Sequence, residues 1–214
     1  MKNLLRFSFL VALALFCSIA TVFAQEQAPA PSFKEGDTWQ FNVVRKNTVA
    51  SSTEVADGTY ELTFLQGNVK LYEVSGNQKT ELPIAPDGAT QELLSLVGKS
   101  PQLQDVKFPL SVGQKWPFDY QTRPAGARAD QRRSAEVVVT GMEQVTAPAG
   151  AFKVYKLVRS MLWTGGGGRS TVINTGTITF FYSPETRSVV KSSTASETSS
   201  ATSETELIKF TPGN

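Results

Sequence analysis

From residue 33 onward, apolar and polar side chains alternate along short stretches that end in glycine- or proline-containing turns. In DTWQFNVVR, for example, Trp39, Phe41 and Val43 alternate with polar neighbours, and TYELTFL and AFKVYKLVRSMLW repeat the pattern. A period of two places alternate side chains on opposite faces of a strand, and strands joined by turns form antiparallel sheets. The sequence therefore predicts a mainly all-β fold. We expect a single strongly curved antiparallel sheet, a half-barrel or open barrel of about 9–11 strands.

One stretch, PDGATQELLSLVGKSP at residues 86–101, has a helical period instead. Asp87 is placed as an N-cap, and Gly98 and Pro101 end the pattern. Between them, four apolar residues are spaced for one face of a helix: Leu93, Leu94, Leu96 and Val97. The sequence predicts one short helix beside the sheet.

The first 24 residues have the pattern of a secretory signal peptide. Lys2 and Arg6 precede an apolar run over 7–23, and Ala24 ends a site typical of signal peptidase cleavage. Residues 25–32 are interpreted as a Pro/Ala linker with nothing to bury, and 33–214 as one β domain. We expect export, to the periplasm or alternatively by secretion, with no transmembrane span left after cleavage.

Composition excludes several classes of function. The chain has no histidine, and its single cysteine, Cys17, lies in the predicted signal peptide. Ser-His-Asp and Cys-His catalysis and histidine-ligated metal sites are therefore excluded, and we predict no enzyme, no metal and no cofactor. Without Lys2 and Arg6 the chain has nineteen basic and nineteen acidic residues. This balance argues against nucleic-acid binding, which needs a positive excess.

A G-x-x-W-x-F motif occurs twice, with Gly36 and Gly113 as its glycines. The order of strands and turns after each copy is similar, so the halves 33–109 and 110–214 are hypothesised to be related by duplication. The aromatic residues of the motif either fill the core or line an apolar cavity in the curved sheet. On the second alternative, six residues are predicted to bind a ligand: Trp39, Phe41, Leu93, Leu96, Trp116 and Phe118.

Other stretches favour ordinary structural roles. WTGGGGRS at 163–170 lacks the lysine and the following helix of a phosphate loop, so we interpret it as a connection between strands. The arginine-rich stretch 123–133 is interpreted as a solvated loop rather than a docking surface for anions. The Ser/Thr-rich tract 192–206 is interpreted as a solvated hairpin. Two carboxylate pairs are expected to be solvated rather than catalytic: Glu61 with Glu73, and Glu204 with Glu206.

Residues 110–214 resemble a group of exported bacterial proteins of unknown function. The shared features are a V-P-A-G-T-F-type turn, here Pro148–Phe152, and an aromatic-Y-x-P hairpin, here at Phe181–Pro184. This chain departs from the pattern at Ala151, where threonine is usual, and at Arg187-Ser188, where glycine is often found. The resemblance implies a fold distantly similar to the half-barrels of outer-membrane lipoprotein carriers, which hold acyl chains on a concave face. It assigns no catalytic residue.

Two functional hypotheses follow. The first is a non-enzymatic periplasmic protein that holds a lipid-like or other hydrophobic ligand on a concave apolar face. The alternative is a structural or protein-interaction module of the cell envelope, which docks a partner through strand edges.

Overall fold

The computed structural model describes residues 26–49, 52–85, 89–122, 131–165, 172–196 and 201–214. The predicted signal peptide therefore lies outside the described residues. The described elements are β1 Thr38–Val49, β2 Ser52–Leu65, β3 Asn68–Ser75, β4 Gln78–Glu81, α1 Ala89–Ser95, β5 Lys115–Thr122, β6 Gln131–Ala147, β7 Gly150–Gly165, β8 Val172–Ser183, β9 Ser188–Ser196 and β10 Ala201–Thr211. Within these ranges, no helix is long and apolar enough to cross a membrane.

The ten strands form one antiparallel sheet in the order β4-β3-β2-β1-β10-β9-β8-β7-β6-β5. One meander runs from β1 out to the edge strand β4, and a second runs from the other edge, β5, back to β10, which pairs with β1. Register shifts interrupt the pairing in β1, β6 and β8, and such bulges increase strand twist and bending. The sheet is curved and not closed. The predicted fold class is confirmed.

The period-two pattern determines which side chains reach the concave face. Trp39, Phe41 and Val43 of β1 are buried there, as are Leu157 and Phe180 on the opposite part of the sheet. Their strand neighbours in sequence point to the other face, because successive side chains alternate. The core of the protein is therefore a single apolar layer on the concave face.

Residues 82–114, which connect β4 to β5, close this layer, and we call them the covering segment. Leu93 and Leu94 of helix α1, and Leu96 and Val97 in the turn that follows it, are the four predicted apolar residues, and all four are buried. Gly98, at φ +64°, ends the helix: the amide of Lys99 donates to the carbonyl of Leu94, and that of Gly98 to Ser95. This is a Schellman motif, in which glycine accepts the left-handed conformation. Asp87, the predicted N-cap, lies outside the described residues.

Backbone contacts also attach the middle of the covering segment to its surroundings. The amide of Val189 at the start of β9 donates to the carbonyl of Leu96 at 2.7 Å. Ala28 and Leu110 exchange two hydrogen bonds, of 3.0 and 2.9 Å, and Ala28 is buried in the core. The expectation that residues 25–32 have nothing to bury is therefore wrong for Ala28. Its side chain is small enough to pack against the covering segment.

The two G-x-x-W-x-F motifs have the same local geometry. Gly36 and Gly113 both adopt φ +85°. The amide of Gly36 donates to the carbonyl of Phe64 on β2, and the amide of Gly113 donates in the same way to Val139 on β6. Each glycine thus makes the tight entry into a strand whose tryptophan is buried. The repeated unit is a local turn, and duplication of the halves stays a prediction.

We expect Gly113→Ala to lower the free energy of unfolding by about 1–2 kcal/mol, because an L-residue is strained at this left-handed φ. No atom would clash with the added methyl group, so the effect isolates backbone conformation. Gly141 on β6 also has open space around it but no positive φ, so Gly141→Ala is the matched control and should not destabilise. Urea denaturation measures both. Equal losses in the two variants would contradict this account of the motif.

Pro148-Ala149 forms the two-residue turn between β6 and β7, and β8 ends at Ser183 before the next turn. The sequence also indicates glycine turns at Gly67-Asn68 and at Gly141. The first is formed one residue earlier, by Gln66-Gly67, both with positive φ, and the second is wrong, because Gly141 lies within β6. Two residues at positive φ make the hairpin turn whose twist matches antiparallel strands.

Candidate functional site

The structure buries all six residues predicted to bind a ligand in one continuous core. None is more than 8% exposed, which leaves little surface for a ligand: Trp39, Phe41, Leu93, Leu96, Trp116 and Phe118. The first two lie on β1, the leucines on the covering segment, and the last two on β5. The structure therefore brings all six into one apolar layer of the core. Their role in ligand binding stays a prediction.

Both indoles face packed protein. Trp39 packs against Phe33 and Phe210, with ring centroids 5.5 and 5.9 Å away. Its Nε1–H donates to the carbonyl of Thr186 at 2.7 Å, and the Nε1–H of Trp116 donates to Gln104 at the same distance. Buried tryptophans commonly find such a partner. These contacts tie the sheet to the turn after β8 and to the covering segment.

A cavity of about 40 Å³ lies between helix α1 and the strands β1, β10, β9, β8 and β7. The lining residues differ in exposure: Asp105 and Arg159 are buried, Arg45 is half-buried and Glu92 is exposed. The cavity therefore opens toward Arg45 and Glu92, and the ion pair lies at its deep end. We call this space the polar cavity.

The deep end of the polar cavity is an ion pair that joins the covering segment to the sheet. Nη1 of Arg159 on β7 donates to Oδ1 of Asp105 at 2.6 Å, and both side chains are at least 97% buried. Burial acts to lower the pKa of Arg159, but the charge of Asp105 outweighs it, and the pKa is raised above its ordinary value. The guanidinium also lies 5.4 Å from the ring centroid of Phe180. Arg159 is therefore a fixed positive charge inside the core.

This ion pair is incompletely hydrogen-bonded. Oδ2 of Asp105 and Nε of Arg159 are both buried, and neither has a hydrogen-bond partner in the part of the chain that the structure describes. A buried donor or acceptor that lacks a partner costs about 1–3 kcal/mol, and native proteins usually satisfy it with water or a ligand. The polar cavity is large enough to hold either a water molecule or a small group of a ligand.

The Ser/Thr-rich tract supplies a second set of polar groups. Cross-strand pairing aligns Thr205 with Ser192, and Ser203 with Thr194, so four hydroxyl-bearing residues form two adjacent rows beside the cavity. The interpretation as a solvated hairpin is wrong on this face, because Ser192 and Thr205 are buried. Their burial follows from the alternation of the strands, which turns every second hydroxyl inward. Residues 197–200 lie outside the described residues.

The first carboxylate pair, Glu61 and Glu73, is divided between the two faces of the sheet. Glu61 is aligned with Tyr72 on the neighbouring strand, and successive side chains of a strand point to opposite faces, so Glu73 points away from Glu61. Glu61 is buried, contrary to the expectation of a solvated side chain, and accepts hydrogen bonds from Gln40 and Lys79. Burial acts to raise the pKa of Glu61, but these bonds and the charge of Lys79 lower it below its ordinary value.

The second carboxylate pair and Arg132 lie at the surface. Glu206 is half-buried and contacts Lys191 at 2.6 Å, and Glu204 is exposed. Arg132 forms an exposed ion pair with Asp119 at 2.7 Å. Residues 123–130 and 166–171, which include most of the arginine-rich and glycine-rich stretches, lie outside the described residues. Across the described ranges, no group of three or more acidic, cysteine or histidine side chains could hold a metal ion.

No protein-family model matches the chain, and no curated protein matches its sequence. Among solved structures, a protein from Parabacteroides distasonis inferred to be a lipoprotein is 14% identical with a TM-score of 0.41, over 87% of this chain and 100% of its own. A protein from Bacteroides fragilis inferred to be exported, with a YmcC-like fold, is 13% identical with a TM-score of 0.36, over 86% and 99%. The hypothetical lipoprotein YmcC from Escherichia coli is 10% identical with a TM-score of 0.38, over 83% and 85%.

At such low identities and scores, these likenesses carry no argument about this chain. The resemblance at Pro148–Phe152 and Phe181–Pro184 to exported proteins of unknown function stays a prediction. The same holds for the similarity to lipoprotein carriers.

Proposed function

We propose that this chain is an exported, non-enzymatic binding protein of the cell envelope, and that its ligand site is the polar cavity. The observation that carries the proposal is the buried pair of Asp105 and Arg159, which keeps one acceptor and one donor without a partner among the described residues. Polar groups that converge on a concave space are the usual mark of a binding site. Export is supported by the signal-peptide pattern of residues 1–24.

The proposal of a non-enzymatic role rests on the chemistry available to the chain. The sequence has no histidine, and the buried carboxylates among the described residues each form an ion pair with a basic side chain. An ionised, paired carboxylate is a poor general acid and a weak general base at neutral pH. The three pairs are Asp37 with Arg187, Glu61 with Lys79, and Asp105 with Arg159.

A hydrophobic ligand on the concave face is supported less well. Such a ligand would need the covering segment to leave, because all six predicted residues are buried in the core that this segment closes. Exposing a fully buried aliphatic side chain costs about 1.5–3 kcal/mol. The covering segment buries six of them, so its removal would cost roughly 9–18 kcal/mol, which is as much as the whole stability of a typical domain. The six are Leu93, Leu94, Leu96, Val97, Leu103 and Leu110.

Docking of a partner on the β4 edge of the sheet is also supported less well. The edge strand β4 has only four residues, and all four are exposed. Two of them are charged, Lys79 and Glu81, and short charged edges resist pairing with another strand. The polar cavity is therefore the better-supported site.

Native mass spectrometry of protein purified from its own producing cells tests the proposal. We expect wild type to carry an additional small molecule. The control is Asp105→Leu/Arg159→Met, which replaces the buried ion pair by apolar side chains and should keep the fold. That variant should show only the mass of the polypeptide. A bare polypeptide mass for wild type, or a bound molecule that persists in the double variant, would refute the site.

A further inference from the structure

The charges around the polar cavity select against charged ligands. Arg45 and Arg159 contribute two positive charges, and Glu92 and Asp105 contribute two negative charges. At the deep end, the charge of Arg159 is already neutralised by Asp105 at 2.6 Å. An anion would be attracted by one partner and repelled by the other, and so would a cation. A charged group that enters would also lose its hydration without gaining an opposite charge in return.

The two unpartnered atoms need one acceptor and one donor. Nε of Arg159 can only donate, and Oδ2 of the Asp105 carboxylate can only accept. Hydroxyl groups offer both roles, because each has one O–H donor and two acceptor lone pairs. A carboxylate or phosphate oxygen could serve only the arginine, and an ammonium only the aspartate.

The wall formed by β9 and β10 extends this preference. Ser192, Thr194, Ser203 and Thr205 line the cavity. Cross-strand neighbours on one face lie about 5 Å apart, so the two rows present hydroxyls at regular spacing. Each hydroxyl can donate or accept, and such a surface matches a ligand with several hydroxyl groups.

Apolar side chains also line the cavity, and the cavity limits the size of the buried group. They include Leu93 and Leu96 of the covering segment and Phe180 of β8. The volume of about 40 Å³ admits a few water molecules or a group of roughly two or three heavy atoms. Only a small terminal group therefore reaches the ion pair, and the rest of a larger ligand would lie toward Arg45 and Glu92.

We propose that the polar cavity binds a neutral sugar, whose hydroxymethyl group enters beside the Asp105–Arg159 ion pair while its other hydroxyls contact the β9–β10 wall. This inference rests on the proposed function, since it names the class of ligand for the same site. The rest of the sugar would lie toward Arg45 and Glu92, because the cavity admits only a small terminal group. A neutral sugar adds no charge to the core.

Titrations of isotope-labelled wild type, followed by backbone amide NMR shifts, test the ligand class. The probes are D-glucose, its 6-deoxy analogue, inorganic phosphate and acetate. We expect saturable shifts around Asp105, Arg159 and Ser192 with glucose, and an affinity at least about tenfold lower for the 6-deoxy analogue, which lacks the hydroxyl that meets the ion pair. Phosphate and acetate should cause no saturable shift there.

Variants separate the hydroxyl wall from the fold. Thr194→Val and Thr205→Val keep the shape of the side chain and remove its hydroxyl, so each should weaken glucose binding several-fold and leave the thermal midpoint close to that of wild type. Leu162→Ala, at an exposed position on β7, is the control and should leave binding unchanged.

The outcomes distinguish the ligand class from the site itself. Saturable binding of phosphate or acetate in place of glucose would overturn the sugar and leave the proposed site standing. Equal binding of glucose and its 6-deoxy analogue would overturn the placement of the hydroxymethyl group. If no probe binds and native mass spectrometry shows a bare polypeptide, the orphaned atoms are satisfied by water alone, and both proposals fall.

Discussion

Replacing Asp105 with leucine will lower the free energy of unfolding by about 3–5 kcal/mol, the usual cost of leaving one partner of a buried ion pair alone. Arg159 is 3% exposed, and without Asp105 its charge would remain in the core without an opposite charge. Arginine does not lose its proton under these conditions, so the protein must hydrate the guanidinium or release the covering segment. Chemical denaturation of wild type and variant measures the loss. Arg159→Met should cost a similar amount, because it strands the carboxylate.

The double variant Asp105→Leu/Arg159→Met provides the decisive control. Apolar side chains of similar volume remove both charges, so its stability should return to within about 1 kcal/mol of wild type. Methionine is flexible and packs well against aromatic rings such as Phe180 and Tyr120, which lie beside the guanidinium. Additive losses, with the double variant as unstable as the two single losses combined, would show that the two side chains do not act as a pair.

Replacing Trp39 with alanine will cost about 3–5 kcal/mol, the range for a large aromatic side chain removed from a core. Trp39 is completely buried, contacts Phe33 and Phe210, and holds the carbonyl of Thr186. The predicted cost is high because these contacts exist without any ligand. If Trp39 instead lined an open apolar site, its removal would cost much less stability in the ligand-free protein.

Leu162→Ala is the matched control for this prediction. Leu162 is 49% exposed on β7, so its truncation should change stability by less than about 0.5 kcal/mol. Urea denaturation of the two variants compares a core residue with a surface one. A loss for Trp39→Ala as small as that for Leu162→Ala would favour the apolar-cavity alternative over the filled core.

The sheet and its inner face could be predicted because their signals are local. Alternation places Trp39 and Phe41 on one face whatever the rest of the chain does, and the helical spacing of Leu93 to Val97 is complete within seven residues. Glycine marks the strand entry at Gly36 and Gly113, since both sites need a left-handed φ. Each of these features depends only on residues that lie near one another in the sequence.

The polar cavity could not be predicted because it depends on contacts between distant residues. Asp105 lies in an irregular segment with no periodic signal, and its partner is 54 residues away. One signal was present: Arg159 stands between Leu157 and Met161 in the inward-facing series of β7, where a charge is unusual. The Ser/Thr tract was also misleading, because alternating serine and threonine look solvated whichever face they occupy.

The central claim is that the covering segment belongs to the folding core, so that the concave face stays closed and the polar cavity is the site. Native-state hydrogen exchange tests it most directly, at the amide of Val189, which donates to Leu96, and at the amide of Leu110, which donates to Ala28. We predict that both amides exchange only with global unfolding, at the same free energy and denaturant dependence as amides in β7 and β8. Exchange of Val189 and Leu110 through an opening of clearly lower free energy would contradict the claim, and would restore the concave face as a place for a hydrophobic ligand.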